Sequence, residues 1–172
     1  FEKHGLRGRI EHAQLLREED FPRFRQLGVG ASVQPEHAVD DRDVTDVYWA
    51  DRTSRAFALR RMVDAGAAVV LGSDAPVSPL DPWVSIAAAV TRTRDGREPW
   101  HAEQALTLTE ALGFSQRSSL EVCQPADLVV LDADPAWLMD AFAHDLPKAS
   151  DALRAMPIAL TVCAGDITHR AV

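Results

Sequence analysis

The sequence predicts an α/β fold built on a parallel sheet. Three short apolar runs, around Ile10, at VGASV (29–33) and at AAVVL (67–71), alternate with stretches of helical periodicity. Each run is too short for a helix, and parallel strands need a helical crossover to return the chain to the same end of the sheet.

In order along the chain, RGRIEHAQ reads as a strand. LREEDFPRFRQLG then opens with acids, places Pro22 in a first helical turn and stops at Gly28. VGASVQP is a second strand, ended by Pro35. Beyond the polar stretch EHAVDDRDVTD, the segment WADRTSRAFALRRMVDAG carries Ala56, Leu59, Met62 and Val63 at helical spacing before Gly66. AAVVLGSD is a continuous apolar run and is expected to be a strand buried on both faces. The loop APVSPL leads to a helix in DPWVSIAAAVTRTR, which completes a third βα unit. AEQALTLTEALG is predicted helical throughout and ADLVVLDAD a buried strand. WLMDAFAHDL and KASDALRAM are short helices, and IALTVCAGDITHR is a final strand with a turn at Gly165-Asp166. Residues 1–119 are thus expected to hold three βα units and a following helix, and 120–172 a small β subdomain with short helices. Periodicity leaves open whether the parallel unit is part of a (β/α)8 barrel or an open doubly wound sheet.

A net charge of −8 and a pI near 5.1 argue against nucleic acid or an anionic membrane as partner, since both call for a basic footprint. No run approaches the roughly 18 to 20 apolar residues of a membrane helix, and the first residues lack an apolar signal core. Cys123 and Cys163 have no metal-binding spacing. A cytoplasmic protein is the expectation. The start at Phe1, close to a core strand, reads as a truncated or processed chain.

His12, Gln34 and Asp74 fall at the C-terminal ends of the three predicted strands, the edge on which parallel α/β folds build their sites. An imidazole and a carboxylate there suit a divalent ion such as zinc. The competing readings are a hydrogen-bonded core histidine for His12 and a turn or helix-capping carboxylate for Asp74. His37 follows the second strand end, whereas His4, His101, His144 and His169 are scattered and read as solvated. Trp49, Arg52 and Asp81 read as pocket residues or loop anchors, or as ordinary packing and ion-pairing residues. No nucleophile elbow, phosphate loop or dinucleotide fingerprint is present.

RIEHAQ, SVQPEHAVDD, LGSDAPVSPLDPW, AVTRTRDGREPWH and ADLVVLDADP together resemble, in this order, segments of the third amidohydrolase family, the branch with N-substituted formamide deformylases near the N-acyl-D-amino-acid deacylases. The resemblance implies the C-terminal part of a (β/α)8 barrel plus a segment of its small β subdomain. It implies a divalent metal, zinc by preference, with His12 as ligand after barrel strand six. Asp74 after strand eight becomes a metal-linked acid/base, and Gln34 and His37 line the substrate pocket. The implied reaction is hydrolysis of a carbon–nitrogen bond in a small amide or formamide. Family members are much longer and add an HxH pair from the first barrel strand, so this chain is expected to need the missing barrel half or a homo-oligomeric partner, and to bind metal weakly through two ligands. Cys123 stands where the family usually turns on a glycine. A catalytically inactive fragment serving as an oligomeric binding or structural module is the alternative.

Overall fold

The computed structural model describes residues 7–171, so His4 lies outside the described residues. The fold is mixed α/β. Strands β1 (Gly8–Glu11), β2 (Val29–Val33) and β3 (Ala68–Leu71) pair in parallel in sequence order. Between β1 and β2, α1 (Phe21–Leu27) has Pro22 in its first turn and ends at Gly28, whose φ of 62° is the left-handed value a helix-ending glycine supplies. Phe21 and Phe24 bury its inner face.

The polar stretch after β2 folds into two helices, α2 (Pro35–Asp40) and α3 (Arg42–Tyr48). Pro35 starts α2 at the position where a missing N–H costs nothing, and the buried polar face of α2, Glu36 and His37, hides it from a hydrophobicity pattern. The predicted helix from Trp49 is shorter. Only α4 (Leu59–Asp64) is α-helical in that region, after a single 3-10 turn at Thr53–Arg55, because Phe57 takes a φ of 50° and Ala56 pairs with Leu15 in an isolated bridge. Helix α5 (Pro82–Thr91) is capped by Asp81, which accepts from Trp83 N–H at 2.9 Å. Helix α6 (Leu108–Ser115) begins six residues later than the predicted segment, since Thr107 and Glu110 form a reciprocal capping box that fixes its start.

In the remainder, β4 (Leu128–Leu131), β5 (Ile158–Cys163) and β6 (Asp166–Arg170) form an antiparallel sheet, with α7 (Pro135–Ala141) and α8 (Leu146–Arg154) between β4 and β5. The single final strand predicted is a hairpin. Ala164 and Gly165 have φ of 51° and 92°, the positive values that a tight two-residue turn needs. Cys123 is itself left-handed, with φ 72°.

One hydrophobic cluster joins both parts. Ala31, Val33 and Val69 meet Phe21, Phe24, Leu59, Met62 and Ile86, and Leu153 and Met156 extend it. Two burial expectations are corrected. On β3, Val70 is 41% exposed, because the helices cover only the face that carries Ala31 and Val69. On β4, Val129 and Val130 are 58% and 47% exposed, since the helices leave much of this strand uncovered. No helix among the described residues is long and apolar enough to cross a membrane.

A buried ion cluster ties these parts together. Arg154 donates to both carboxylate oxygens of Glu36 at 3.0 and 2.7 Å, and Arg94 donates to the same group at 2.9 Å and to Asp40. Burial works against the charged form of Arg94, but its hydrogen bonds to Glu36, Asp95 and Asp40 outweigh it and raise its pKa. Because the Glu36 side chain is only 3% exposed, removing it leaves the largely buried Arg154 without a carboxylate partner and Arg94 with only Asp40 and Asp95. Glu36→Ala is expected to lower unfolding free energy by about 3 kcal/mol, read as a shifted urea midpoint. An unchanged midpoint would mean that the cluster adds nothing.

Glu110 gives a pH-dependent counterpart. Hydrogen bonds from Arg60 and from Thr107 N–H hold its pKa down to about 2. A depressed folded pKa stabilises the fold above the ordinary glutamate value of about 4.5 and is lost as pH falls through about 2. The stability gap between wild type and Glu110→Gln is therefore expected to be full at pH 6 and to close across that acid window, as measured by urea titrations at several pH values.

Candidate metal centre

The parallel register brings the three strand ends level. His12 N–H donates to Ser32 O at 2.8 Å, and Gly72 N–H donates to Val33 O at 2.9 Å, so the ladder continues past the strands toward the candidate residues. The chain then turns sharply. His12, Ala13 and Asp74 have φ of 67°, 44° and 56°, values that cost a non-glycine residue on the order of 1–3 kcal/mol each. Strain of this kind at the ends of two different strands aims both side chains at the same space.

Gln34 is buried as the N-cap of α2. Its amide nitrogen donates to Ser32 O at 3.5 Å, which turns Oε1 toward His12 Nδ1 at 2.9 Å. His12 Nδ1 must then carry the proton, leaving the Nε2 lone pair free. His37, 6% exposed, lies one turn into α2, and its ring stacks on that of His12 with centroids 6.0 Å apart and planes 17° from parallel. Its Nδ1 is 3.4 Å from the Gln14 amide nitrogen, while its Nε2 is buried without a hydrogen-bond partner. Among the described residues the Asp74 carboxylate accepts no hydrogen bond, and the helix that follows is capped by Asp81 instead.

His12, His37 and Asp74 each offer a ligand atom, and these atoms lie within 4.8 Å of one another. They face an open concavity of about 280 Å3 also lined by Gln14, Asp40, Asp41 and Val77. Two imidazoles and a carboxylate, with one orphaned buried nitrogen among them, are a donor set that fits a divalent ion. The acidic rim adds a favourable field for a cation.

The structure therefore gathers His12, His37 and Asp74, and sets Gln34 behind His12 rather than on the concavity. Sequence reading missed Gln14, Asp40, Asp41 and Val77. Only the position of Gln14, two residues past a strand-end histidine, was a usable signal. Arg52 pairs with its neighbour Asp51, and Trp49 packs against the cluster of Ala38, Ala56, Phe57 and Trp100. The expectation that His101 is solvated is corrected. Its ring meets Trp100 at 4.6 Å and its Nδ1 lies 2.9 Å from Glu103, because a φ of 50° folds it back onto the loop. His144 and His169 are exposed.

A match to the amidohydrolase family (Amidohydro_3) covers residues 1–169. The chain is 37% identical over 155 residues to the protein LONG AFTER FAR-RED 3 of Arabidopsis thaliana, covering 81% of this chain and 26% of that protein. It is 29% identical over 141 residues to an N-substituted formamide deformylase of Arthrobacter pascens, covering 74% of this chain and 26% of the enzyme. Among solved structures, an uncharacterized metal-dependent hydrolase from Pyrococcus horikoshii superposes with a TM-score of 0.57 at 31% identity, over 66% of this chain and 24% of that one. The chain thus spans about a quarter of the length of these relatives. With a match that runs over nearly all of its residues, the chain belongs to the amidohydrolase family.

Proposed function

We propose that the protein is a metal-dependent hydrolase of a carbon–nitrogen bond, of the amide or formamide type, in a small molecule. The observation that carries this reading is the convergence of His12 and Asp74, from two strand ends, on one concavity with their ligand atoms unengaged. The similarity to an N-substituted formamide deformylase and to a metal-dependent hydrolase supports it. Zinc suits imidazole nitrogen and carboxylate oxygen together. Such an ion, held by His12 Nε2 and Asp74, would lower the pKa of the attacking water and polarise the carbonyl. Asp74 takes the proton as the water oxygen bonds to carbon, then delivers it to the leaving nitrogen as the C–N bond breaks. Gln34 holds His12 in the tautomer that keeps Nε2 available.

The sheet also supports a barrel. Edge strands β1 and β3 are unpaired on their outer sides among the described residues, and Ile10 and Val70 are 49% and 41% exposed. Further strands of a (β/α)8 barrel would pair with those edges and reduce the exposure of both residues. The same edges support a competing reading, a catalytically inactive module that pairs with a second copy.

Two outcomes test the reading. His12→Ala is expected to lose bound metal together with activity, as measured by elemental analysis of the purified full-length protein. Full metal content in that variant would remove His12 from the centre. Asp74→Asn, which nearly preserves volume but not basicity, is expected to lower kcat by about a hundredfold to ten-thousandfold on a formamide or amide substrate with little change in KM. Near wild-type turnover in a folded, metal-loaded variant would return Asp74 to the role of a turn carboxylate.

A further inference from the structure

We propose that His37 is a third protein ligand of the metal centre, and that Gln14 is the positioning residue that presents it. The inference rests on the reading of His12 and Asp74 as a metal site and adds a residue and a partner to it. Three observations support it. His37 Nε2 is enclosed by protein and unpartnered, and a buried polar atom in that state requires an explanation. The enclosure itself decides which partner fits. The nitrogen is shielded from water, so a substrate oxygen of similar size cannot approach it at hydrogen-bond distance. A zinc ion sits only about 2.0–2.1 Å from an imidazole nitrogen and needs no water-sized space beside it. A position between His37, His12 and Asp74, whose ligand atoms lie within 4.8 Å of one another, meets that requirement.

The third observation is a repeated arrangement. Each imidazole has a glutamine side chain at its Nδ1, Gln34 at 2.9 Å from His12 and Gln14 at 3.4 Å from His37. The Gln34 carbonyl is turned to His12 because its amide nitrogen is committed to Ser32 O. Gln14 makes no other side-chain hydrogen bond among the described residues, so half a turn of its terminal amide presents a carbonyl to His37 Nδ1 at no positional cost. His37 then holds its proton on Nδ1 and offers the Nε2 lone pair, as His12 does. The result is a two-histidine, one-carboxylate set. Three protein ligands are common in catalytic zinc sites, and His37 raises the share that these strand ends offer from two to three.

The test uses zinc and cobalt(II) alone, titrated into the purified full-length protein, with no substrate. One ion is expected to bind per chain. Histidine 15N spectra are expected to show that zinc shifts Nε2 of both His12 and His37 while both Nδ1 atoms stay protonated. This readout needs no variant and cannot be confused with misfolding. Gln14→Ala is expected to weaken cobalt affinity about tenfold to a hundredfold, the usual cost of a lost outer partner. Gln14→Glu, whose carboxylate can only accept from Nδ1–H, is expected to restore or exceed wild-type affinity, a rescue that a merely structural glutamine would not show. If zinc shifts His12 Nε2 but leaves His37 unprotonated at Nδ1 and unshifted at Nε2, the third-ligand proposal is overturned and the metal site stands. If neither histidine responds to zinc, both the proposal and the hydrolase reading fall.

Discussion

Everything at the candidate centre depends on the in-register parallel pairing of β1, β2 and β3. Glu11 pairs with Ser32 and Ser32 with Val70, so the next residues of all three strands emerge at one level. A slip of one residue in either pairing would turn the following side chains to the other face of the sheet. The backbone bonds from His12 to Ser32 and from Gly72 to Val33 then carry the order beyond the strands. Hydrophobic burial fixes the register. Ala31, Val33 and Val69 must face the helices, which pins the alternate residues, and with them the direction in which each strand ends.

Strand ends alone do not place His37. It rides on α2, and α2 is held by charge as well as by the apolar contacts of Ala38. Glu36 binds Arg154 of α8 and Arg94 of the loop after α5, while Arg97 and Trp100 of that loop reach Asp43 and Asp46 of α3. The loop is anchored by Arg92, which is fully enclosed. Its Nε donates to Trp100 O at 3.1 Å and its guanidinium lies 5.6 Å from the Trp100 ring. Burial pulls the Arg92 pKa down to about 10, still far enough from neutrality to keep it charged. A cluster of this kind has little tolerance for loss of one partner, but it gives the helix a defined position next to a strained strand end.

The strands were legible because apolar runs of four or five residues between helical stretches have few other meanings, and the positions of His12, Gln34 and Asp74 followed from them. The helices α2 and α3 were not. Their buried residues include Glu36, His37 and Thr45, so the local pattern looks like a loop, and only the partners contributed by Arg94 and Arg154, 58 and 118 residues away, make burial acceptable. Burial of β3 on both faces was misread for a related reason. A continuous apolar run reports what a strand can be packed against, whereas exposure of Val70 reports what these residues supply. Cys123 shows the reverse case. The departure from a family glycine was visible in the sequence, and its left-handed φ of 72° shows why glycine suits that position.

The two faces of the parallel sheet differ. The helix-covered face is apolar throughout. The opposite face carries Arg9 and Glu11, which pair with each other, together with Gly30, Ser32 and Val70. A hydrogen bond from Ser32 and the contact with Arg9 hold the Glu11 carboxyl below the usual glutamate range, so it remains ionised next to His12. Small and polar residues with one net-neutral ion pair are poorly suited to a dry hydrophobic interface. They suit the interior of a closed sheet, where side chains from several strands meet in layers and must be small enough to interdigitate. Closure of that kind would also reduce water access to the space above His12 and Asp74. Lower local polarity strengthens the attraction between a carboxylate and a cation, so the metal proposed at His12 and Asp74 would be held more firmly there than on an open sheet edge.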